Sequence, residues 1–248
     1  MDFPRILKKR KGYIERIKPF MRKSVAKVLT GQRRVGKSFL LYQLIEEILG
    51  EEPNANIIYI NLEDFEFSSL QTAQDLHSYI ISQSQKKDKN YIFIDEIQDI
   101  PGFEKVIRSL LLNEDNDIYI TGSNANMLSG ELATYLSGRY IEFKIYSLSY
   151  LEFLEFHGLT DNEKSYELYS RYGGLPYLLN LPLEDETVNE YLKSIYSTIV
   201  FRDVVSRYKL RNTLFLEKLI QFLSENIGNL FSAKNISDYL KSQHATVS

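Results

Sequence analysis

Residues 31–38, Gly-Gln-Arg-Arg-Val-Gly-Lys-Ser, constrain what this chain can fold into more than any other segment. Their spacing is G-x-x-x-x-G-K-[ST], a loop that wraps a phosphate chain. Glycine lets backbone approach where a side chain would clash. Successive N–H groups then form an anion nest, and a helix opening at Lys37 adds its positive end. Such a loop requires a strand before it and a helix after it. The flanks read that way: residues 24–30 (SVAKVLT) form a β-branched run ended by Gly31, and residues 39–49 (FLLYQLIEEIL) carry apolar side chains at helical spacing. Gly31, Gln32, Arg33, Arg34, Val35, Gly36, Lys37, Ser38 and Phe39 are therefore the expected phosphate-site contacts. Lys37 is expected on the β- and γ-phosphates and Ser38 on magnesium. Arg33 and Arg34, at the variable positions, are free to face solvent, an acidic partner or the nucleotide.

The surrounding chain repeats the strand-then-helix pattern. Apolar runs at 57–62 (IIYINL), 91–94 (YIFI), 117–120 (DIYI) and 141–145 (IEFKI) read as further strands. Segments 70–85 and 103–112 read as helices between them, and 13–24 as a short amphipathic helix interrupted by Pro19. Residues 50–56 read as a turn. This alternation predicts an α/β domain with a buried parallel sheet. It stops near residue 146. Beyond that the sequence predicts only helices, at 147–157, 162–171, 186–208, 213–227 and 232–241, the last opened by a Ser232 cap. The expected division is 1–146, 147–211 and 212–248. The final segment reads as the opening of a helix-turn-helix whose third helix is just beginning, so the native protein is expected to be longer. Gly173-Gly174-Leu175-Pro176 marks a helix–helix corner.

Composition narrows the chemistry. The chain has 248 residues and no cysteine, which excludes disulfides, thiolate catalysis and cysteine-bound zinc. Its three histidines, His77, His157 and His244, are too scattered to suggest a metal site. The formal charge of -3 gives no global electrostatic case for nucleic acid. No stretch approaches the ~20 apolar residues that span a bilayer, so no membrane partner is expected and a reducing cytoplasm fits.

Three segments add chemistry to the loop. The strand 91–94 ends in Asp95-Glu96. Brought beside the loop, Asp95 would share magnesium with Ser38, and Glu96 would orient or deprotonate the attacking water. The strand at 117–120 ends in Thr121-Gly122-Ser123-Asn124, where Ser123 or Asn124 could bond the γ-phosphate or the water; spacing does not choose between them. Arg139, just before the last strand, could stabilise transferred charge in cis or from a neighbouring subunit. Arg202 and Asp203, adjacent on an expected helix, point apart and form no local pair.

These motifs, in order, resemble a family of prokaryotic AAA-like ATPases. The residues that carry the resemblance are 31–38, 59–64 (YINLED), 95–98 (DEIQ), 121–123 (TGS), 137–139 (SGR) and 173–176 (GGLP). The resemblance implies a P-loop sheet of order 5-1-4-3-2, a following winged-helix segment and a further domain beyond it. It also implies binding of ATP and Mg2+. The expected function is Mg-ATP hydrolysis driving a conformational change in the helical region. The alternative is a nucleotide-gated DNA-binding regulator with little hydrolysis; Lys193, Arg202, Arg207, Lys209 and Arg211 supply its positive charge. Candidate partners are ATP and ADP, double-stranded DNA, and a second copy of the chain or another protein. No guanine-reading Asn-Lys-x-Asp element is present, which favours adenine.

Overall fold

The computed structural model describes residues 8–85, 89–122, 135–136, 138–199, 204–205 and 213–243. The chain separates into two compact units, Met1–Leu183 and Glu184–Ser248.

In the first unit the strands are β1 (Ala26–Thr30), β2 (Asn56–Asn61), β3 (Asn90–Asp95), β4 (Asn116–Gly122) and β5 (Tyr140–Lys144). They form one sheet of order β2-β3-β4-β1-β5. Every pairing is parallel, and helices join β1 to β2, β2 to β3 and β3 to β4, the crossovers that parallel strands require. Read from the other edge this is the expected order 5-1-4-3-2.

Side chains alternate across the strands and divide the core in two. Ile92, Ile94, Ile118 and Ile120 face helices α3 (Ala73–Gln83) and α4 (Phe103–Leu110), packing on Leu76, Ile80, Val106 and Ile107. Tyr91, Phe93 and Tyr119 face the opposite way, toward α1 (Lys11–Ile17) and α2 (Lys37–Glu51). There Phe93 and Tyr119 stack with centroids 4.4 Å apart. One ion pair interrupts this second layer: Lys27 and Asp117, both fully buried, are joined directly, with the ammonium 4.5 Å from the Tyr119 ring centre.

Element ends shift by a few residues from the sequence reading, and two of the shifts have a clear physical cause. Gly50 lies inside α2, which runs to Glu51, so the turn begins only at Glu52. Burial of Leu44, Ile45 and Ile48 offsets the ~1 kcal/mol a helical glycine costs. The N-terminal helix begins at Lys11 and gives way to a 3-10 turn at Lys18–Phe20, where Pro19 cannot continue it.

After β5 come α5 (Tyr150–His157) and α6 (Glu163–Tyr172), then a 3-10 turn at Pro176–Asn180. Leu148, Phe153 and Phe156 form their core, with Leu168 and Tyr169 against it. Ser149 caps α5 reciprocally with Glu152.

The second unit contains α7 (Asp185–Thr198), α8 (Thr213–Glu225) and α9 (Ala233–Ser242). The expected Ser232 cap is present, its hydroxyl accepting from the Asn235 amide. Phe222 of α8 meets Phe231 and Tyr239. Most of the expected span beyond Thr198, including Arg202, Asp203, Arg207, Lys209 and Arg211, lies outside the described residues, as does His244. No described helix is long and apolar enough to cross a membrane.

Candidate functional site

Parallel strands all end at one edge of the sheet, so residues that follow β1, β3 and β4 converge although they are distant in sequence. The phosphate loop follows β1, with α2 opening at Lys37. Gly36 caps that helix at φ +92°, a left-handed conformation that suits glycine. Gly31 is required for a second reason. It has φ +148°, and an added Cβ would lie 2.2 Å from the backbone oxygen of Ile145. The close approach is therefore to the end of the β5 segment, a partner that loop spacing alone does not reveal.

Lys37 is buried, with its ammonium donating to the carbonyls of Gly31 (3.2 Å) and Gln32 (3.1 Å) and standing 3.6 Å from Glu96 Oε1. Burial holds its pKa below the ordinary lysine value, against the opposing pull of Glu96 and Asp95. Arg33 pairs with Glu63 across 3.2 Å, Arg34 is exposed at φ +64°, and Phe39 is half exposed, edge-on to Tyr42. Gln32 is exposed, while Val35 is buried in the core below the loop.

Asp95 ends β3 with its carboxylate buried and bonded by the hydroxyls of Ser38 and Thr121. Tyr59, on β2, reaches the other oxygen at 3.5 Å. Burial pushes the Asp95 carboxyl above its ordinary range, while Ser38 and Thr121 pull it down. Glu96 follows at φ +55°, a left-handed conformation that costs a non-glycine residue of order 1 kcal/mol or more. Its amide donates to Thr121 Oγ at 3.0 Å, and Gln98 Nε2 donates to its Oε2 at 2.6 Å.

Sequence reading missed two of these groups. Thr121 holds both acids at once: its hydroxyl donates to Asp95 and accepts from the Glu96 backbone. The sequence reading put the active group two or three residues beyond it, at Ser123 or Asn124, which lie outside the described residues, as does Ser137. Gln98 was read only as part of a motif; its position two residues after Glu96, in a 3-10 turn, was the available signal.

Arg139 is not brought to this edge. It precedes β5, and its carbonyl accepts from the amide of Ala26 at the start of β1. The length of β1, about 16 Å for five extended residues, separates it from the loop, beyond the reach of one arginine side chain. The in-cis arm of the expectation for Arg139 is therefore corrected. Its side chain lines a small cavity with Arg108, Leu111, Leu112, Tyr135 and Leu136 at the opposite edge.

The donor set suits a hard divalent cation bound together with phosphates. Ser38 and Asp95 offer oxygens side by side, and magnesium sites at phosphates use one or two protein ligands. Among the described residues no three His, Asp or Glu side chains gather as an all-protein metal cage.

Comparison with known proteins follows the same lines. Residues 23–154 match the AAA domain family, and 163–248 match a domain of unknown function (DUF8612). An uncharacterised protein of Haemophilus influenzae is 38% identical over 246 residues, covering 96% of this chain and 61% of that protein. An uncharacterised protein of Methanocaldococcus jannaschii is 32% identical over 235 residues, covering 90% of this chain and 51% of that one. The chain thus spans only part of the length of the curated relatives it matches. Among solved structures, domain III of the Thermotoga maritima replication initiation protein DnaA aligns over 96% of this chain and 94% of its own. Its identity is 12% and its TM-score 0.47.

Proposed function

This chain belongs to the AAA domain family, and from that membership together with the site geometry we propose that it binds Mg-ATP at residues 31–39 and hydrolyses it to ADP and phosphate. The observation that carries the reading is the convergence of Lys37, Asp95 and Glu96. They come from two non-adjacent strand ends, and Glu96 is held in a strained backbone conformation beside the lysine.

In this reading the loop amides and Lys37 hold the phosphate chain. Ser38 and Asp95 hold the magnesium, which supplies charge neutralisation at the phosphates. Glu96 takes the proton of the attacking water, and Gln98 keeps its carboxylate aimed. Catalysis of this kind is mostly positioning and charge stabilisation. Arg139, at the far edge, is proposed to serve the site of a neighbouring copy. The helical segment from residue 147 is proposed as the part that moves with nucleotide state, with a winged helix opening near residue 212.

Steady-state hydrolysis by the wild type and by Glu96→Gln, each with and without duplex DNA, tests this. Turnover that requires Glu96 supports the reading. Equal turnover in both proteins contradicts it. Nucleotide and salt-dependent DNA binding without turnover would favour the DNA-regulator alternative.

A further inference from the structure

We infer that Arg10 is a positioning residue for the phosphate loop, and that it locks the loop to the segment after β5 through a single guanidinium. Arg10 lies outside the AAA match and is 4% exposed. All five guanidinium N–H donors are engaged. Nε donates to Glu152 Oε1 at 2.8 Å, and Nη2 to Glu152 Oε2 at 2.9 Å and the Ser147 carbonyl at 3.4 Å. Nη1 donates to the Tyr146 carbonyl at 2.8 Å and to the carbonyl of Val35 at 3.2 Å.

Val35 is inside the phosphate loop, and that last bond sets a direction. No peptide here is cis, and across a trans planar peptide the C=O and N–H point opposite ways. Holding the Val35 oxygen toward Arg10 aims the Gly36 N–H away from it, as an anion nest at the helix start requires. A free loop would spend ligand-binding energy to order that peptide; Arg10 orders it beforehand.

The arginine is itself held fast. Its own amide donates to Gln43 Oε1 of α2 at 2.9 Å, while Gln43 Nε2 donates to the Lys8 carbonyl. The Tyr13 ring lies 4.5 Å from the guanidinium carbon, and the Tyr13 hydroxyl accepts from the Tyr146 amide at 3.0 Å. Residues 146–147 directly follow Ile145, which lies just past the end of β5 and whose backbone oxygen abuts Gly31. One planar group therefore spans the loop, the end of the β5 segment and the cap of α5. A lysine, with a point charge and three donors, cannot reproduce that fork.

This inference rests on the loop binding nucleotide phosphates, and the test separates the two. Binding of ATP and of inorganic tripolyphosphate is measured calorimetrically for the wild type, Arg10→Lys and Glu152→Gln. The temperature is one at which circular dichroism shows the protein folded. Arg10→Lys is expected to lose about tenfold in affinity, the weight of one charge-assisted bond, and by the same factor for both ligands. A role in packing or charge alone would be served by lysine and would leave both affinities unchanged. Wild-type affinity in folded Arg10→Lys overturns the inference. If that variant does not fold, Glu152→Gln, which cannot accept bidentately, decides: a several-fold loss for both ligands supports it, and no loss overturns it. A wild type that binds neither ligand refutes the nucleotide reading instead.

Discussion

The hydroxyl of Thr121 bonds the carboxylate of Asp95 and accepts the backbone amide of Glu96, so one side chain on β4 fixes both acids at the end of β3. Thr121 is fully buried, and removing its oxygen leaves a buried amide without its acceptor. Thr121→Val, close in volume, is predicted to cost about 1–3 kcal/mol in denaturant unfolding and to lower ATP turnover. Unchanged stability and turnover would show that the bond positions nothing.

Gly31→Ala is predicted to be more damaging than its size suggests. The new methyl would meet the Ile145 backbone oxygen, and neither partner can swing aside. A loss of about 2–4 kcal/mol is expected from urea midpoints. Gly102→Ala provides the contrast: its φ of +74° is strained as well, but nothing lies within 4 Å of the added atom, so the penalty should be smaller.

Gln98 binds Glu96 through its amide nitrogen, and its own Oε1 is buried without a partner among the described residues. Gln98→Ala should therefore cost little stability. It is predicted to lower kcat by roughly tenfold while leaving nucleotide affinity near wild type, because it frees the proposed base without touching the loop. A loss confined to binding would contradict this assignment.

Glu152 gives a pH dependence with a definite sign. Burial disfavours its charge, but bonds from Arg10 and Ser149 outweigh this and hold its pKa below the ordinary value of 4.5. A depressed folded-state pKa contributes stability that is complete above 4.5 and is lost as pH falls through the lower folded value. Thermal unfolding of the wild type should therefore lose stability below pH 4.5 more steeply than Glu152→Gln does. Parallel profiles would count against the Arg10–Glu152 pair.

What was legible in the sequence was what is local. The loop at 31–38 and the acids Asp95 and Glu96 sit within short motifs, and apolar runs separated by helical segments are enough to predict a parallel sheet, whose strand order only the family resemblance supplied. Arg10 was illegible because its partners, Val35, Tyr146, Ser147 and Glu152, are brought to it only by the finished fold. Arg139 was misjudged in its in-cis role for a reason the sequence did contain. A residue that precedes a strand parallel to β1 must lie at the start of β1, away from the loop. Gly50 misled because propensity marks it as a breaker, whereas the buried face of α2 carries the helix through it.

The most direct test of the central claim is single-turnover hydrolysis of Mg-ATP by Glu96→Gln beside the wild type, with affinity measured on the same samples. The account predicts near-equal affinity and a rate reduced by about 10²–10⁴, the usual contribution of a positioned general base. Equal rates in the two proteins would contradict it.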